Sequence, residues 1–207
     1  MEARNLSYGQ QKLLELAGVL MGDPDTIMLD EPAGGVNPAL IGRIGTLVQE
    51  LNAEGRTFLV VEHNMEMVMS LSHHVIVFDR GRPIAEGTPP SCSPTPSPGG
   101  LPWCLSRPRN GVQQEYLLEL DDIQAGYGRA AMVLRGLTIK VPASTVVCLV
   151  GPNGAGKSTV LKVASGLLKP RSGRVVVGGR TSRARARRRC SRPDWRTCSR
   201  GTASSAR

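Results

Sequence analysis

The stretch LVGPNGAGKST, residues 149–159, constrains this chain more than any other. It follows an apolar run, Thr145–Val150, and leads into apolar positions at helical spacing over 157–168. It therefore turns a strand into a helix, and its form is G-x-x-x-x-G-K-[ST]. Glycines let the backbone curl until successive N–H groups aim at one phosphate, and the following helix adds its positive N-terminal end. Gly151, Asn153, Gly154 and Gly156 belong to this cradle. Lys157 is expected to reach the β- and γ-phosphates of a nucleotide, Ser158 to bind Mg²⁺ through its hydroxyl, and Thr159 to lie near the α-phosphate.

The chain around this loop has two textures. Residues 1–88 and 115–179 read as parts of globular α/β structure, whereas 89–114 and 180–207 do not. In the first segment, Ser7 and Gln10 form an S-x-x-Q capping box before a helix carrying Leu13, Leu16, Ala17 and Leu20 on one face. Thr26–Leu29 is a short buried strand ending at Asp30-Glu31-Pro32. Asn37-Pro38 opens a second helix with Leu40, Ile41, Ile44, Leu47, Val48 and Leu51 on one face. Thr57–Val61 and Val75–Phe78 are further strands, and Met65, Val68 and Met69 are expected in the core. Strands alternating with helices argue for a mainly parallel sheet. In the later segment, Leu117–Leu120, Leu137–Val141, Thr145–Val150 and Val175–Val177 are strand candidates.

Residues 89–114 hold seven prolines and no periodicity, the composition of a disordered linker. Residues 180–207 hold ten Arg and one acid, Asp194, so the whole formal charge of +9 sits there. A polycation of this kind attracts nucleic acid through phosphate contacts alone, and no specific recognition module accompanies it. Disorder is expected there too. Cys92, Cys104, Cys190 and Cys198 fall in these two odd segments, and none forms a C-x-x-C pair. Cys148, inside a strand, reads as a small buried hydrophobe. The first residues lack the apolar stretch of a secretory signal, and no run approaches the ~18 apolar residues of a membrane span.

Asp30-Glu31 at a strand end gains meaning from its company. LSYGQQ (residues 6–11), IMLDEP (27–32) and VVEHN (60–64), together with the glycine loop, resemble the ATPase subunits of ABC transporters. Tyr8 replaces the first glycine of the usual LSGGQ. This variant, with AGGVNP (33–38) and IAEGTP (84–89), is similar to the ATPases of branched-chain amino-acid uptake systems. The resemblance implies a P-loop NTPase fold and an ATPase that uses ATP and Mg²⁺. By it, Ser7, Gly9 and Gln10 form the signature loop that contacts the γ-phosphate. Asp30 is the metal-side acid beside Ser158, Glu31 the catalytic carboxylate and His63 the switch histidine. Tyr127 is the aromatic residue that stacks on adenine. The implied partners are a second ATPase subunit in a head-to-tail dimer and a membrane permease. The place is the cytoplasmic face of the membrane, and the transported solute never touches the chain.

The order of the motifs is reversed. In the family the phosphate loop precedes the signature, acids and histidine, separated from them by a helical subdomain and a metal-linked glutamine. Here the loop comes last, and residues 125–207 contain no Gln. Residues 1–88 thus resemble the C-terminal half of an ATPase domain, and 115–179 the N-terminal part of one. Two accounts compete. In the favoured one, frameshifts joined pieces of two adjacent genes, which leaves strand edges unpaired and the activity impaired or lost. In the other, the domain is circularly permuted and its halves dock across a linker of ~26 residues that reaches ~80 Å. Two further alternatives are a non-transport ATP-binding protein that contacts nucleic acid through its basic tail, and a non-functional product.

Overall fold

The computed structural model describes residues 7–89, 115–128, 131–182 and 195–198. The expected linker, from residue 90 to 114, lies outside them. The first segment opens with helix α1 (Tyr8–Leu20). The predicted capping box forms in both directions: Ser7 Oγ accepts from Gln10 N at 3.3 Å, and Gln10 Oε1 accepts from Ser7 N at 2.9 Å. Strand β1 (Thr26–Asp30) follows, then α2 (Pro38–Ala53), capped by Asn37 Oδ1 accepting from Leu40 N at 2.9 Å. Next come β2 (Thr57–Val61), α3 (Met65–Leu71), β3 (His74–Asp79) and β4 (Arg82–Gly87).

The later segment starts with a long hairpin, β5 (Tyr116–Tyr127) and β6 (Ala131–Pro142). It continues through β7 (Val146–Val150), α4 (Lys157–Ala164), β8 (Ser172–Val177) and β9 (Arg180–Ser182). A short strand β10 (Trp195–Cys198) closes the described chain.

Two sheets result. The larger has the order β10-β1-β2-β7-β3-β4, parallel throughout except for the β3–β4 pair. The smaller is antiparallel, β6-β5-β8-β9. The two segments therefore share one sheet: β7, from the second, lies between β2 and β3, from the first. In this arrangement β7 pairs with one edge of β2 and one edge of β3. The joint is reinforced where Ser144 N donates to Thr57 Oγ1 at 2.8 Å and Val146 N to His73 Nδ1 at 3.1 Å.

Side-chain alternation in strands builds two cores, one on each face of the large sheet. Leu59, Val61, Val147 and Leu149 point to the face shared with α4 and the small sheet. Phe58, Val60, Val146 and Cys148 point to the face covered by the three N-terminal helices. Every residue of β2 and β7 is buried, as befits central parallel strands. Each Val, Leu or Phe among them contributes about 1.5–3 kcal/mol on burial.

Three expectations need correction. The strands at Leu117–Leu120 and Leu137–Val141 are pieces of a longer hairpin, each arm of which runs for 12 residues. Register shifts around Leu120/Ile123, with Asp122 at φ 47°, break the simple alternation that marks a strand. The helix after the glycine loop ends at Ala164 rather than 168, because Gly166 turns the chain at φ 71°. Met65 and Met69 are exposed; α3 directs Met67, Val68 and Leu71 inward instead. Of the Arg-rich segment the described residues are 180–182 and 195–198, where β9 pairs with β8 and β10 with β1. An edge strand offers unpaired N–H and C=O groups, and pairing with them requires no hydrophobic pattern in the added strand.

Candidate nucleotide site

Parallel strands deliver the turns at their C-terminal ends to one edge of the sheet, where open α/β sheets bind ligands. β1, β2 and β7 are neighbours in that order, so Asp30-Glu31, Glu62-His63 and the glycine loop come to the same edge.

The loop conformation is one that glycine permits. Gly151, Gly154 and Gly156 have φ of 154°, 80° and 107°. A Cβ at Gly151 would lie 2.0 Å from the Phe78 carbonyl oxygen, and one at Gly156 would meet Val133, Leu134 and Phe78 at 3.1–3.3 Å. The loop ends at the N-terminus of α4, where Gly156 occupies the cap position with no side chain over the first amides. Lys157 is buried, and its ammonium donates to the carbonyls of Gly151 at 2.7 Å and Pro152 at 2.9 Å. Burial lowers its pKa below the usual lysine range, and the negative charge of Asp30 works the other way.

Ser158 Oγ donates to Asp30 Oδ1 at 3.2 Å, across 128 residues of sequence. These are two hard oxygens at the mouth of a phosphate loop, the donor type Mg²⁺ takes. A cavity of about 290 Å³ is lined by Asn153, Gly154, Gly156, Lys157, Ser158 and Thr159, with Glu31, Tyr127 and Val133. Glu31 is held at φ 50°, a strained conformation for a carboxylate residue, with its N–H on the Val61 carbonyl at 2.8 Å. A larger hollow, about 340 Å³ between α2 and α3, contains none of the candidate residues.

Not every candidate joins the cavity. Ser7 and Gln10 cap each other, and Gly9 packs on α2, where a Cβ would meet Leu40 Cδ2 at 2.1 Å. None of the three lines the loop cavity, nor does His63, whose side chain is 60% exposed. Of the other histidines, His73 Nδ1 accepts from Val146 N of β7, and His74 faces Glu86.

Sequence reasoning missed Glu62. Its side chain is fully buried, Oε1 accepts from Ala33 N at 2.7 Å, and Oε2 accepts from His63 N at 2.8 Å and Asn64 N at 2.9 Å. One carboxylate thus ties the turn after Asp30-Glu31 to the turn that carries His63. The available signal was an acid directly after a run of apolar residues, in VVEHN.

Residues 134–201 match the family model of the ABC transporter. Over 88 residues the chain is 46% identical to the high-affinity branched-chain amino acid transport ATP-binding protein BraF of Pseudomonas aeruginosa, covering 42% of this chain and 34% of that protein. It is 43% identical over 89 residues to LivG of Escherichia coli, of the same description, covering 42% and 35%. A putative ABC transporter ATP-binding protein of Treponema denticola is 28% identical over 195 residues, covering 88% of this chain and 40% of that one. The solved structure of MJ1267, an ATP-binding cassette of an ABC transporter, is 43% identical with a TM-score of 0.40, covering 42% of this chain and 35% of its own. The chain thus spans 34–40% of the length of these curated relatives. Among the described residues no helix is long and apolar enough to cross a membrane.

Proposed function

We propose that the chain binds and hydrolyses ATP as the ATP-binding subunit of an ABC transporter that imports branched-chain amino acids. The observation that carries this reading is the Ser158–Asp30 hydrogen bond, which joins the phosphate loop to the acids of the other segment. It also favours the two segments, 7–89 and 115–182, acting as one ATP-binding unit despite their order. An alignment covering 88% of this chain necessarily runs through both segments in their present order, which supports that order within one polypeptide.

The work divides among several groups. Loop amides and Lys157 hold the β- and γ-phosphates, for which the ammonium exchanges its two loop carbonyls. Mg²⁺, where bound, offsets phosphate charge, and Ser158 and Asp30 would hold it. Glu31 orients and polarises the attacking water, and His63 contacts the γ-phosphate, so that catalysis is positional and electrostatic. Tyr127 supports the adenine. Ser7, Gly9 and Gln10 face the loop of a second ATPase subunit in a head-to-tail dimer, which accounts for their distance from the cavity of their own chain. A membrane permease at the cytoplasmic face supplies the solute pathway.

Calorimetric titration with Mg·ATP, followed by phosphate release, tests this reading. The parent chain is expected to bind and turn over, Lys157→Ala to lose binding, and Glu31→Gln to bind without turnover. Equal and negligible affinity in the parent and Lys157→Ala would end the proposal.

A further inference from the structure

Tyr127 stands at the end of β5 with a partly exposed ring. Its backbone is fixed from both sides. The neighbouring Gly126 lies so close to β6 that a Cβ there would fall 1.8 Å from the Ala131 carbonyl oxygen. On the other side, the Arg171 guanidinium donates to the Gly128 carbonyl, and Arg171 N donates to Gln124 O at 2.7 Å. What remains to be set is the ring itself.

Lys162, one turn into α4, does this. Its ammonium donates to the Tyr127 hydroxyl at 3.3 Å and lies 5.4 Å from the ring centre. It is nearer the hydroxyl than the centre, so it holds the ring chiefly by its polar end. An ammonium has only donors, so the phenol oxygen accepts from it. The same hydroxyl lies 3.4 Å from Thr159 Oγ1, and either oxygen of that pair can donate. Thr159 is buried at the base of the phosphate loop and lines the cavity. The chain Lys162–Tyr127–Thr159 therefore connects the aromatic ring to the phosphate loop through three side chains.

We infer that Lys162 is a positioning residue: it registers the Tyr127 ring against the phosphate loop and so selects an aromatic nucleoside triphosphate over bare polyphosphate. This rests on the reading of Tyr127 as the base support. A general phosphate-attracting charge at the same place would strengthen both ligands alike.

The experiment is calorimetric titration of the full chain with Mg·ATP and, separately, with Mg·tripolyphosphate. Lys162→Met is expected to weaken Mg·ATP about three- to tenfold and to leave tripolyphosphate unchanged. Lys162→Arg, which keeps a donor, restores ATP affinity, and the double variant with Tyr127→Ala is no weaker than Tyr127→Ala alone. Lys162 is exposed, and Lys162→Gln serves as the second variant if the methionine chain is poorly soluble. Equal weakening of both ligands by Lys162→Met overturns the inference. So does an unchanged ATP affinity in Lys162→Met alongside a selective loss in Tyr127→Ala, which spares the reading of Tyr127. If Tyr127→Ala leaves the ratio of the two affinities unchanged, the base-support reading falls, and the role of Lys162 with it.

Discussion

Replacing Glu62 by Gln exchanges an oxygen for an NH₂ group in a fully buried place. The carboxylate accepts three backbone N–H bonds at 2.7, 2.8 and 2.9 Å. An amide of the same shape has one oxygen, which best serves the adjacent pair His63 and Asn64. Its NH₂ then faces Ala33 N–H, donor against donor. Losing one charge-assisted bond costs about 1.5–3 kcal/mol, and the stranded Ala33 donor adds about 1–3 kcal/mol. Burying a neutral group instead of a charged one offsets part of this. The net expectation is a loss of about 2–4 kcal/mol, read as a fall in the urea midpoint by circular dichroism at unchanged m-value. Ala33 lies two residues from Glu31, and His63 adjoins Glu62, so ATP turnover should fall more than Mg·ATP affinity. A variant within about 0.5 kcal/mol of the parent, with unchanged turnover, would refute the idea that this carboxylate clamps the two turns together.

Gly156→Ala puts a Cβ against Val133, Leu134 and Phe78 at positive φ; it should destabilise the fold by about 1–3 kcal/mol and weaken Mg·ATP in the same titration. Cys148 should resist iodoacetamide at pH 8 until the chain unfolds, as peptide mass spectrometry would reveal, because burial pushes its thiol up to about 12. The neutral thiol is the form the fold favours. Its share of stability is therefore complete below the unfolded value of 9.0 and shrinks as pH climbs towards 12, a slope that Cys148→Ala should flatten. A protease site inserted between residues 100 and 101 should yield two pieces that still co-elute on gel filtration, since β7 is held between β2 and β3; separation of the pieces would contradict that sheet order.

The glycine loop, both helix caps and the short all-apolar strands were legible because each is dictated by residues close together in sequence. Ser7 needs only Gln10, and Asn37 only the amide of Leu40. The placement of β7 was not legible. Val147 and Leu149 are apolar in any buried slot, and nothing in VVCLV names Phe58–Val61 and His74–Val77 as neighbours. The role of Glu62 was hidden for the same reason: its Ala33 partner is 29 residues away. Lys162 looked like an ordinary helix-surface lysine, since the hydroxyl it meets comes from residue 127. The tail strands escaped because main-chain pairing leaves no mark in side-chain composition.

The central position of β7 governs how such a chain must be made. While it leaves the ribosome, β2 and β3 emerge first, with a gap between them that only later residues can fill; Thr57 waits for Ser144, 87 residues on. Closing so long a loop is slow, and the apolar slot stays open to stray strands meanwhile. Synthesis in the cell would thus depend on chaperone shelter until the glycine turn has been translated, and a ribosome that stalls before it would release a sticky remnant.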